Sequence, residues 1–303
     1  MQNVTTLIYS PDSPKLYENI INKAFKHLEK KGAVISGFKW LSKNEACDIT
    51  YSDLDPENAS IILKEKFEGL PIDIISQKTD NRRKKLLISD MDSTIIQQEC
   101  IDELADNLGL KDKVAQITER AMNGELDFSE SLRERVALLK DLDEAQLKET
   151  YDKKIQLMPG AKTLLKTMRE NDAYCLLVSG GFTYFTSKIK DLIGFNEDHA
   201  NILQIIDGKL TGKVIEPILD KDSKLKTLNL NIDKLKISVN DTIAVGDGAN
   251  DLPMLLGAGI GIAYHAKESV KAKANFSIDH GDLTALLFAQ GFSKKEFKED
   301  EQG

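Results

Sequence analysis

Cysteine is scarce. Three occur in 303 residues, at Cys47, Cys100 and Cys175, and no Cys-x-x-Cys pair is present. That pattern argues against a disulfide framework and against a zinc or redox dithiol motif. Reduced thiols in a cytoplasmic protein are the expectation. Long apolar runs are missing too: nothing approaches the ~18 consecutive apolar residues that a membrane span needs. The start, MQNVTTLIYSPDSPK, has no basic segment running into an apolar one, so no signal peptide is expected. A basic excess is also lacking. Lys and Arg number 41 against 49 Asp and Glu, giving a net charge of -8 and an isoelectric point near 5.2. Phosphate backbones attract basic footprints, so nucleic acid is not an expected partner, and neither is a membrane. The four histidines, His27, His199, His265 and His280, are scattered without metal-ligand spacing.

What is present divides the chain in two. Residues 1–80 read as strand (VTTLIYS), helix (from SPKLYENII to a stop at Gly32), two strands (AVISGFKWL, ACDITYS), helix (NASIILKEKFEG) and strand (IDIISQ). The order βαββαβ predicts a ferredoxin-like α+β module. The polar stretch QKTDNRRKK then reads as a linker. From Leu86 short, wholly apolar strands recur, LLIS, YCLLVS, TIAVG and GIGIA, separated by helical segments. Such strands predict a parallel α/β sheet covered on both faces. The helical stretch between the first two is too long for one crossover, so residues 99–166 are expected to form a helical insert, leaving 86–98 and 167–290 as the core. Residues 291–303, charge-rich, read as a solvated tail.

LLISDMDSTII carries the chemistry. Asp90 and Asp92 are two residues apart at the end of a strand, so both carboxylates point the same way. At roughly 5 Å and an effective dielectric of about 20 they repel by ~3 kcal/mol. A divalent cation shared with substrate phosphate would relieve that repulsion, and strand carboxyl ends are where open α/β sheets bind ligands. One carboxylate can attack phosphorus while its neighbour, raised in pKa by the like charge, serves as acid and base. Alone, the pair equally fits other metal loops or a solvated turn. Three further stretches favour phosphoryl chemistry. Ser179-Gly180-Gly181 ends a strand with a hydroxyl and bare amides suited to phosphate. GDGAND offers Asp247, Asn250 and Asp251 after another strand. Lys224 lies between the two.

In this order these stretches resemble the haloacid dehalogenase superfamily of aspartate-nucleophile phosphatases, over about residues 86–287. The resemblance implies a Rossmann-like core with an inserted helical cap, behind an N-terminal module that resembles ACT domains. It implies Mg²⁺-dependent hydrolysis of O-phospho-L-serine to L-serine and phosphate, the closing step of L-serine biosynthesis. Asp90 is then nucleophile and metal ligand. Asp92 is general acid and base, its carbonyl also meeting the metal. Asp247 is the further metal ligand, with Asp251 supporting it. Ser179, Gly180, Lys224 and Asn250 hold the phosphate. In the cap, Glu99 meets the substrate ammonium and Arg135 its carboxylate, while Met122 and Phe128 line the pocket. Such modules pair with one another, so a homodimer through residues 1–80 is expected. Two departures stand out: Met91 replaces the usual phenylalanine, and EPILDKDSK differs from the usual loop before the lysine. Phosphotransfer to another alcohol, or an inactive amino-acid-binding regulator, are the competing readings.

Overall fold

The computed structural model describes residues 2–10, 17–122 and 125–299, with the side chains of residues 121 and 122 left out. The calls on Leu16 of the first helix, on Met122 as a pocket residue and on the tail beyond 299 therefore lie outside the described residues.

The N-terminal module is built from β1 (Asn3–Tyr9), α1 (Glu18–Lys30), β2 (Val34–Ser42), β3 (Ala46–Ser52), α2 (Pro56–Lys66) and β4 (Ile72–Lys78). Its antiparallel sheet has the order β2-β3-β1-β4, the ferredoxin-like arrangement expected. Asp55 caps α2 by accepting from the Glu57 amide at 2.9 Å. Alternation along the strands sends successive residues to opposite faces. Leu7, Tyr9, Cys47, Ile49, Tyr51, Ile72 and Ile74 meet α1 and α2 in one core. Ile8, Ala46 and Ile75 face the other way and join the core of the remaining chain. Both faces are covered, which is why β1 is buried at every position.

The second unit opens with β5 (Leu86–Ser89). After it come α3 (Cys100–Asp106), α4 (Lys111–Met122), α5 (Phe128–Ala137), α6 (Ala145–Lys154) and α7 (Ala161–Glu170). Then follow β6 (Tyr174–Phe182), α8 (Thr183–Ile193), β7 (Glu197–Ile206), β8 (Lys209–Ile215), α9 (Lys221–Leu235) and β9 (Thr242–Gly246). The chain closes with α10 (Leu252–Gly257), β10 (Ile260–Tyr264), α11 (Glu268–Lys271), β11 (Phe276–Ile278) and α12 (Ala285–Ala289). The seven-stranded sheet runs β11-β10-β9-β5-β6-β7-β8. All neighbours are parallel except β7 and β8, which form an antiparallel hairpin that hydropathy alone had not suggested. β5 lies between β6 and β9, so the carboxyl ends of these three strands adjoin. α7 is one unbroken helix across residue 166, where the expected insert ends, and packs on β6 and α8. The helices α3–α6 lie wholly within residues 99–166.

Two stretches are more ordered than the sequence suggested. In the supposed linker, Arg82 forms an ion pair with Asp48 at 2.7 Å and donates to the carbonyls of Phe288 and Ala289. Lys84 is buried and donates to the Asn240 carbonyl at 2.6 Å. In the supposed solvated tail, Phe297 packs on Phe288 with ring centroids 4.9 Å apart, and Lys294 pairs with Glu45 at 2.7 Å. Among the described residues no helix is long and apolar enough to cross a membrane.

Candidate active site

β5 delivers Asp90 to the sheet's carboxyl edge, where its amide still bonds the Val245 carbonyl at 3.0 Å. One of its oxygens, Oδ1, accepts from the Met91 amide at 2.8 Å and from Lys224 Nζ at 2.9 Å. Lys224 comes from the first turn of α9, whose start is set by a reciprocal cap between Asp220 and Ser223. Its side chain is 1% exposed, and the ammonium also reaches Asp251 Oδ1 at 2.6 Å. A charge so buried needs such partners. Burial alone would lower its pKa, but Asp251 and Asp90 outweigh that and push it above the usual lysine range. Asp90 moves up, through burial first and the charges of Asp251, Asp247 and Asp92 besides, against the pull of Lys224.

Asp92 points the same way and is held at both oxygens. Oδ1 accepts from the Cys100 amide at 2.9 Å, at the start of α3, and Oδ2 from the Ser179 hydroxyl at 3.1 Å. Burial raises its pKa, partly offset by those bonds. Ser179, Gly180 and Gly181 end β6, and Gly181 has no room for a side chain. A Cβ there would lie 2.7 Å from Asp92 Oδ2. Met91 is buried in the core.

Beyond β9, Asp247 accepts from the Thr94 hydroxyl at 3.1 Å, and burial with the Asp251 charge pushes it up to about 6. Asp90, Asp247 and Asp251 each bring an oxygen within 4.8 Å of the others. An all-oxygen set of this kind suits a hard divalent cation. Asp251 has both oxygens engaged, by Lys224 and by the Gly248 amide at 3.0 Å.

These residues floor a cleft of about 910 Å³ whose far wall is the helical insert. Glu99, Phe128 and Arg135 line that wall, and Asn250 lies at the rim. Glu99 is open to the cleft on one side and accepts from the Ser93 hydroxyl at 2.6 Å. Burial of its other side and the Asp92 charge push it up to about 8. Burial lowers Arg135, against the charges of Glu99, Asp102 and Asp92. Phe128 closes over Gly180, where a Cβ would stand 2.9 Å from the ring. Asp90, Asp92, Glu99, Phe128, Arg135, Ser179, Gly180, Asp247 and Asn250 line one cleft, with Lys224 and Asp251 buried just beneath it against Asp90. Ser93 and Asp102 line it unforeseen, and Thr94 bonds Asp247. The serine and threonine directly follow the aspartate pair, which is the signal that could have found them.

The profile of the haloacid dehalogenase-like hydrolases matches residues 87–256. A phosphoserine phosphatase from Polaromonas sp. is 44% identical over 224 residues, covering 72% of this chain and 95% of that protein. A HAD family hydrolase from Salmonella enterica serovar Typhi superposes with a TM-score of 0.84. It shares 29% identity and covers 97% of this chain and 99% of its own, so the N-terminal module is matched along with the core. A structure described as a phospho-aspartyl intermediate analogue of phosphoserine phosphatase is 40% identical, with a TM-score of 0.64, covering 68% of this chain and 98% of that one. The family's profile spans more than half of the chain and a relative 44% identical covers 72% of it, and this chain belongs to the haloacid dehalogenase-like hydrolases.

Proposed function

We propose that the chain hydrolyses O-phospho-L-serine to L-serine and phosphate. The observation that carries this is one cleft with two kinds of wall. Its floor groups Asp90, Asp92 and Ser179, with Lys224 buried behind Asp90, while its roof offers one acid, Glu99, and one fork-shaped base, Arg135. A zwitterionic amino acid bearing a phosphate asks for that combination.

Asp90 attacks phosphorus in line and forms an aspartyl-phosphate. Asp92, its pKa raised by burial, gives a proton to the departing serine oxygen. It then takes a proton from the water that attacks phospho-Asp90, which restores both carboxyls. Lys224, Ser179 and the Gly180 amide balance the phosphate charge, with Asn250 alongside. Asp90 and Asp247, with the Asp92 carbonyl, would hold Mg²⁺, and Asp251 would steady that set through Lys224. When bound, the ion neutralises charge on the transferring phosphoryl group. Phe128 excludes water when the insert lies over Gly180. Pairing of two copies would use the edge strand β2, which presents Val34 and Phe38.

The test is phosphate release from L-phosphoserine, D-phosphoserine, phosphothreonine, glycerol phosphate and a sugar phosphate, with Mg²⁺ and with chelator. Turnover confined to L-phosphoserine, lost with chelator and lost in Asp90→Asn, is expected. Equal rates on all esters would remove the substrate assignment. A new phosphoester formed with an added alcohol would replace hydrolysis by transfer.

A further inference from the structure

The N-terminal module reaches the cleft through a series of bonds that begins at a buried carboxylate. Asp73, on the core-facing side of β4, is 4% exposed. Its two oxygens gather three successive backbone amides of the other unit. Asp279 N donates to Oδ1 at 2.7 Å, Gly281 N to Oδ2 at 2.7 Å, and His280 N to both at 3.2 Å. That turn in turn grips the segment following β10. Asp279 forms an ion pair with Lys271 at 2.7 Å. The His265 ring contacts the Gly281 carbonyl at 2.9 Å, and its amide donates to the Ile278 carbonyl at 2.8 Å. Between His265 and Lys271 lie Lys267, Ser269 and Val270, which form one wall of the cleft.

We propose that Asp73 is a positioning residue for the substrate cleft, holding the 279–281 turn so that the turn fixes the wall at residues 267–270. Four acceptor contacts on one carboxylate exceed what attachment of the module requires, since Ile8, Ala46, Ile75 and Arg82 already bind it. They converge on a turn tied at both of its ends to the residues flanking the cleft wall, His265 and Lys271. A carboxylate accepts at both oxygens, whereas an amide accepts at one and presents N–H groups to the rest.

The catalytic part of the test rests on the phosphatase reading; the exchange part does not. In full-length Asp73→Asn, amide exchange of residues 266–274 should quicken while the β5 and β9 peptides keep their protection. KM for L-phosphoserine should rise by about three- to tenfold, the effect of loosening a single hydrogen-bonded support, with kcat little changed. Lys271→Gln, a milder change on the partly exposed helix end, should act in the same direction should Asp73→Asn fold poorly. A purely structural role predicts a lower Tm with wild-type exchange at 266–274 and wild-type KM, and that result overturns the proposal. So does faster exchange spread evenly along the chain. Wild-type protein that leaves L-phosphoserine untouched removes the substrate reading, and exchange alone then decides the role of Asp73.

Discussion

Asp92 and Glu99 are both carboxyls raised above their usual range, and their surroundings give them different work. Asp92 is enclosed, with both oxygens accepting hydrogen bonds that aim it at the floor of the cleft. Glu99 faces open space with one oxygen held by Ser93. At about 8, Glu99 is mostly protonated at pH 7 in the free protein. A substrate ammonium beside it favours the carboxylate, so binding should release a proton at pH 7 and release progressively less as pH rises past 8. Calorimetry of non-turning-over Asp90→Asn with L-phosphoserine in buffers of different ionisation enthalpy would measure this, and adding Glu99→Gln should abolish the Glu99 share. A binding heat independent of buffer would count against that ionisation. At this scale the sequence was legible where chemistry follows local spacing, as for Asp90, Asp92 and Asp247. It placed Thr94 beside the pair but gave no link to Asp247, which lies just beyond β9, and it was silent on Asp73, an ordinary acid until the fold brings three distant amides to it.

Among the elements, the strand ends were readable because a wholly apolar strand stops where its first polar residue must meet solvent or ligand. The residues alone made the insert readable as helical. It sits against the β7–β8 hairpin, through bonds such as Asp141 N to the Leu210 carbonyl, and over the cleft where Phe128 meets Gly180, contacts no periodicity encodes. Gly180→Ala should therefore push the ring away, since the new Cβ would lie 2.9 Å from it. Steady-state kinetics should show reduced kcat and raised KM, by roughly tenfold in kcat/KM, about 1.4 kcal/mol of lost transition-state binding. Trimming the ring in Gly180→Ala/Phe128→Leu should recover part of that loss; no recovery would place the effect on phosphate contacts instead. The β7–β8 hairpin escaped the sequence because its strands are half exposed and mix polar with apolar residues. The stretch around Arg82 and the residues after 291 look like solvated connections by composition. Yet long charged side chains bury their stems and find carbonyls or rings, as Arg83 does on Phe292 at 4.1 Å.

Across the molecule, the module's sheet is a shared layer, with helices on one face and the core on the other. Arg82 and Asp48 sit within that layer with side chains 13% and 8% exposed. Arg82→Met should leave a buried, unpaired carboxylate and cost about 3 kcal/mol or more, whereas adding Asp48→Leu should return much of it. Urea unfolding followed by the single tryptophan, Trp40 on β2, reads the module directly. Equal losses in the single and double variants would show that packing rather than charge governs the joint.

The shared layer also sets an order of events during synthesis. β1 leaves the ribosome long before α12, which covers it. Until then one face of the module, with Ile8, Ile75 and the carboxylates of Asp48 and Asp73, stays without its partner. Joining segments so far apart in sequence is slow. The nascent module therefore carries an open, partly apolar face until α12 emerges, and that is the interval in which chaperones or neighbouring chains can reach it.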